Sequence, residues 1–244
     1  MIKKLLLPLI CVLSTSVLAK EKGNFFQTEA ELGLERSQLS GYIKIGSEDN
    51  STKLDIKNDL GIKSSKAHLK TMLTRTTTHH KFGFKLKKYK HSGSKKLSSD
   101  IVYNSSEYAN ATLINSEISL KWAKAKYRYR YTKNFSIGVD LNGMRLKTMV
   151  NDDEVKRKLL LPALGIDYEK ELEEGFNFIS KASSTIAGAS NYHYAYAGLS
   201  YDMKVLNCSS LHIGYQYKNL SIDTNDIDVN LKFQGLYAGL AMKF

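Results

Sequence analysis

The last fourteen residues, 231–244, keep a strand-like alternation up to an aromatic end at Phe244, with no polar tail after it. A terminal strand with an apolar face leaves an unpaired edge, and an unpaired edge invites aggregation. A sheet that closes on itself removes the edge, because its last strand pairs with its first. This end of the chain therefore predicts an all-β fold: a closed antiparallel barrel.

The other end predicts export. Lys3 and Lys4 precede an apolar run from Leu5 to Val12, broken by Pro8, and Val17 and Ala19 occupy the −3 and −1 positions of a cleavage site. The expectation is a signal peptide over 1–19, cleaved after Ala19, and one barrel domain over 20–244. The apolar run is too short to cross ~30 Å of hydrocarbon as a helix. Cys11 follows the bulky Ile10, which argues against lipidation. Cys208 would be the one thiol left, so no intrachain disulfide is expected. The net charge is +12, and two of those charges are Lys3 and Lys4. In an exported chain, that basicity points to lipopolysaccharide phosphates and anionic headgroups rather than nucleic acid.

Period-two runs dominate the rest. They predict ten strands: 31–46, 66–75, 79–91, 112–131, 135–150, 157–168, 176–189, 192–205, 209–222 and 228–244. The two longest connections, 47–65 and 92–111, fall on the same side, and the connections on the other side are short. That asymmetry belongs to outer-membrane barrels. Eight strands is the alternative, with 31–46 or the Pro162 segment outside the barrel, since proline sits poorly in a ladder. The apolar parity shifts near Ser37 and again near Ala123, and each shift predicts a bulge. Fifteen tyrosines suit strands and interfacial belts.

With its signal ending at Ala19 and a last strand that places Gly239, Met242 and Phe244 at the spacing of a C-terminal assembly signal, the chain resembles the small outer-membrane β-barrels of Gram-negative bacteria, of the OmpA-like and OmpW-like class. Tyr237 departs from the signal, which often has a polar residue there. The stretch Leu54, Asp55, Asp59, Leu60, Gly61 looks like an "LD…DLG" segment that follows the first strand in uncharacterised barrels of this kind. The resemblance implies an outer-membrane location and no assigned reaction; a monomer is expected, recognised by the barrel assembly machinery through the last strand.

Two basic features carry the remaining chemistry. Lys124, Lys126, Arg128 and Arg130 share one parity, opposite tyrosines on the other. Cations facing lipid cost ~2–4 kcal/mol each at midplane, so these are expected in the lumen, with Asp140, Glu117, Asp167 or Glu169 as partners. Either they salt-bridge into a plug, which is the favoured reading, or they line a narrow pore for small, anionic solutes. Residues 81–96 hold seven lysines, of which Lys88, Lys90, Lys95 and Lys96 are candidate lipopolysaccharide contacts. Among the histidines, His212 shares a parity with Ser210, with no acid in register beside them. Adjacent His79 and His80 lack further ligand partners. No catalytic, cofactor or metal residue is expected, and a structural or surface-interacting role is the reading, with a membrane-surface enzyme as the remote alternative.

Overall fold

A computed structural model describes residues 27–46, 51–63, 65–185, 188–203 and 209–244. The expected signal peptide and Cys208 lie outside the described residues. Ten long strands form one antiparallel sheet: β1 (Gln27–Ile45), β3 (Ser65–Thr76), β4 (His80–Lys96), β7 (Leu113–Arg130), β8 (Phe135–Val150), β9 (Asp153–Glu171), β10 (Phe176–Thr185), β11 (Ser190–Asp202), β12 (Ser209–Thr224) and β13 (Ile227–Lys243). Each pairs with its chain neighbour, and β13 pairs with β1 from Glu29↔Lys243 to Ile45↔Ile227, so the barrel closes. Three short strands, β2 (Leu54–Asp55), β5 (Ile101–Tyr103) and β6 (Ser106–Tyr108), lie in the two long connections.

The strand count is ten, and both doubtful segments belong to the wall. Pro162 pairs with Leu141 of β8.

Neither expected bulge exists. The register of β7 is unbroken against both neighbours, and so is that of β1 against β13. The parity of apolar residues shifts because the apolar face changes sides. Toward the end of the barrel with short turns, apolar side chains point outward: Leu32 and Leu34 on β1, Phe82, Phe84 and Leu86 on β4, Ile137, Val139 and Leu141 on β8. Toward the long-loop end, apolar side chains point inward: Leu39, Ile43 and Ile45 on β1, Ile118, Leu120 and Trp122 on β7, Met144, Leu146 and Val150 on β8.

This inversion is physical. A transmembrane strand needs about 9–11 residues, and most of these strands have 16–19. The exposed apolar belt spans the membrane-sized lower portion. Above it water replaces lipid outside, so the wall turns polar outward and must bury its apolar residues within.

The long connections are built for that upper interior. Leu54, Ile56, Leu60 and Ile62 are at most 1 % exposed. The segment 47–65, expected to be a polar loop, is in its described part a folded cap. Asp55 Oδ1 accepts from the Lys57 and Asn58 amides, Asp59 Oδ2 accepts from the Asp55 amide, and Gly61 takes φ +61°. The "LD…DLG" residues thus have distinct duties: two leucines fill the barrel top, two aspartates tie the turn, and the glycine reverses the chain. From the other connection Leu97, Ile101 and Tyr103 complete the core. Burial pushes the Tyr103 phenol up to about 12, although its hydrogen bond to Thr148 (2.8 Å) opposes that shift.

Candidate functional site: a charged lumen beneath an apolar cap

Below the cap, inward positions switch from apolar to charged along the same strands. Trp122 marks the switch on β7, its Nε1 donating to Asn142 Oδ1 at 3.2 Å. Beneath it Lys124, Lys126 and Arg128 point into the lumen. Asp140 pairs with Lys124 and with Arg128 (2.8 Å), and Asp167 pairs with Lys126 (2.7 Å) and Arg128 (3.2 Å). Arg128, 1 % exposed, also donates to the carbonyls of Tyr127 and Val139. Arg130 is not in this network; it stands half-buried at the short-turn rim, its guanidinium 3.5 Å from the Lys133 carbonyl. Glu117 lies on the outer face and pairs with Lys90 at 2.8 Å.

The sequence reading missed the other half of the lumen. Glu35 of β1 pairs with Lys87 and with Lys218 (2.8 Å), and accepts from Tyr89 at 3.0 Å. Glu31 pairs with Lys70 (2.6 Å) and accepts from Tyr237. Lys85 carries its ammonium 4.8 Å from the Trp122 ring centre and 5.5 Å from that of Tyr194. A signal was present: Glu31 and Glu35 share a parity opposite Leu32 and Leu34. It was obscured by the supposed bulge at Ser37.

Glycines make room for the crossing side chains. The Tyr237 ring lies over Gly33 and Gly239, where an added Cβ would stand 2.1 Å from its hydroxyl. Tyr196 lies likewise over Gly198 and Gly214. The Arg128 guanidinium covers Gly165. Gly239 therefore serves the lumen, whereas Met242 and Phe244 face outward on the apolar belt. Tyr237, the departure from the assembly pattern, is the residue this glycine accommodates.

Contrary to the sequence reading, an acid does stand beside Ser210 and His212. Ser210 Oγ lies 3.1 Å from His212 Nε2, and His212 Nδ1 is 4.0 Å from Glu31 Oε1. Ser210 is 1 % exposed and Glu31 already serves Lys70 and Tyr237. The three groups tie together β12 and β1 on either side of β13. A second buried contact, His68 Nε2 to His91 Nε2 at 3.2 Å, joins β3 to β4. Among the described residues, no group of three or more His, Cys, Asp or Glu is placed to hold a metal.

On the outside, Lys88 and Lys90 point away from the barrel just above the apolar belt, and Lys96 points away at the far, long-loop end of β4. Lys95 has the opposite parity, and its ammonium donates to the Asn58 carbonyl, pinning the cap. The register extends the lysine pattern sideways. Lys88 faces Lys121, Lys121 faces Arg145, and Arg145 faces Lys158. All four are exposed. The row directly beneath is Leu86, Ala123, Gly143 and Leu160, on the apolar belt.

No protein-family model matches the sequence. No curated protein matches it either. Solved structures do. The outer-membrane protease OmpT from Escherichia coli aligns with a TM-score of 0.52 at 10% identity, over 89% of this chain and 97% of that one. The translocator domain of the autotransporter NalP from Neisseria meningitidis aligns at 0.44 and 10% identity, over 94% and 91%. The attachment invasion locus protein Ail of Yersinia pestis aligns at 0.41 and 10% identity, over 90% and 99%. The fold is that of the outer-membrane β-barrels.

Proposed function

We propose that this protein is an outer-membrane barrel with a filled lumen, acting at the cell surface by holding the phosphates of lipopolysaccharide. The observation that carries the reading is the cation row Lys88, Lys121, Arg145 and Lys158. Like charges directly opposite on neighbouring strands are destabilising. Yet none of the four has a carboxylate within ion-pair distance among the described residues, although acids are near. In the next row up, Glu117 pairs with Lys90, and Glu154 pairs with both Lys147 and Lys156. The row bordering the apolar belt is left bare, where lipid headgroups would meet it.

With the long loops outside the cell, that row lies at the outer-leaflet headgroups. Neighbouring strands are about 4.8 Å apart, so four strands span roughly 14 Å, enough for two phosphates to be bridged by two cations each. The salt-bridged lumen and its apolar cap support a surface role over solute passage.

The test is retention of bisphosphorylated lipid A by the refolded protein in zwitterionic micelles, read by native mass spectrometry. Lys88→Gln, Lys121→Gln, Arg145→Gln and Lys158→Gln combined is expected to weaken binding by about a thousandfold, at about 1 kcal/mol per cation near the surface. High salt should reproduce part of that loss. Equal binding by the wild type and the quadruple variant contradicts the reading.

A further inference from the structure

A cavity of about 40 Å³ lies within the lower lumen, and its wall is crowded with positive charge. Lys70, Lys85, Lys124, Lys126, Arg128 and Lys181 all line it, and Asp167 is the one lining carboxylate. The carboxylates that pair with these cations are Glu31, Asp140 and Asp167. Six cations thus stand against three carboxylates.

The imbalance has a location. Lys70, Lys124, Lys126 and Arg128 each have an ion-pair partner. Lys85 has none among the described residues, whereas Lys181, outside ion-pair distance, still feels the carboxylates of Asp167 and Glu31. Lys85 is 7 % exposed. What it has instead are aromatic faces, those of Trp122 and Tyr194, with Lys124 on the same Tyr194 ring at 5.2 Å. Lys181 stands 5.8 Å from the Tyr196 ring centre. Ring faces soften an ammonium but carry no net charge to cancel it. A charge removed from water needs a counter-charge or it is strongly disfavoured.

We infer that this cavity binds a small inorganic anion of halide size, as a fixed counter-ion for Lys85. The volume bounds the size: a water needs roughly 10–15 Å³ of such space, so a monatomic anion fits with room for a water or two beside it, and a large organic anion does not fit. The aromatic walls restrict the anion to the cationic corner, because ring faces repel negative charge. The site lies within the lumen and is separate from the exterior lipid-phosphate row, so either can fail without the other.

The direct test is diffraction from crystals of the protein grown in sodium bromide, collected at the bromine edge. An anomalous peak is expected in the cavity, within contact of the Lys85 ammonium group, and is expected to vanish in Lys85→Gln. In solution, the urea midpoint of the wild type should rise saturably as bromide replaces gluconate at constant ionic strength, whereas the variant should not respond. In gluconate alone the variant should be the more stable protein, since it has lost an uncompensated cation. An empty cavity in the anomalous map overturns the inference, and so does a bromide response that is the same in wild type and variant.

Discussion

Asp140 and Asp167 each hold two cations, and Arg128 belongs to both. Removing one partner from such a buried network leaves charges unpaired, which costs about 3–5 kcal/mol. Asp167→Ala should therefore lower the urea midpoint of the refolded barrel by that equivalent, and Asp140→Ala should do the same. Arg130→Gln, at the rim and outside the network, should stay within about 0.5 kcal/mol of wild type. A second prediction concerns Gly239. Its alanine variant drives the Tyr237 ring off Glu31, at a cost of about 1–3 kcal/mol. Tyr237→Ala on the same chain relieves the overlap, so the two changes should be strongly non-additive in a double-mutant cycle. Individual lumen residues on β7 were legible in the sequence because cations alternate with tyrosines there. Their partners Glu31 and Glu35 were not, because a charge on a strand does not reveal which way it faces until the register is known.

The cap was the element least legible in the sequence. Its segments are short, polar on average and broken by turn residues, so periodicity gave no sign of the four apolar side chains that Leu54 to Ile62 bury. The inversion shows in the sequence of β1 and β7 as a change of parity, which reads as a bulge, and on β8 it gives no such sign. A bulge moves the backbone, whereas here the surroundings change and the backbone runs straight. The cap has its own pH signature. Tyr103 has an ordinary phenol value of 10.0 that burial raises to about 12. A raised phenol stabilises the fold below the unfolded value, and that contribution is lost as pH climbs through the folded one. Tyr108 is raised as well, by burial and then by its hydrogen bond to Asp153 (2.5 Å). Between pH 10 and 12 the segment 97–112 should loosen and become open to proteolysis while the strand circular dichroism persists. Tyr103→Phe combined with Tyr108→Phe should remove that alkaline step.

At the scale of the molecule, two barrels are stacked on one set of strands. The lower is apolar outside and charged within; the upper is polar outside and apolar within. A count of ten strands, with eight as the alternative, was readable from alternation, closure from the apolar last strand, and the side bearing the long loops from loop length. What alternation could not supply was the height at which lipid gives way to water, because the same period-two pattern serves both halves. That height is the central claim. Fluorescence quenching by nitroxide lipids measures it, using single labelled cysteines on β8 at positions 137, 139, 141, 143, 145 and 147 in a Cys208→Ser background. Quenching by deep nitroxides should peak at Val139 and be gone at Arg145 and Lys147. Labels on the inward Met144 and Leu146 should stay unquenched by lipid at every depth. Quenching that persists through Lys147, or that reaches Met144 and Leu146, would mean that the membrane spans the whole strand and that the upper apolar residues face lipid.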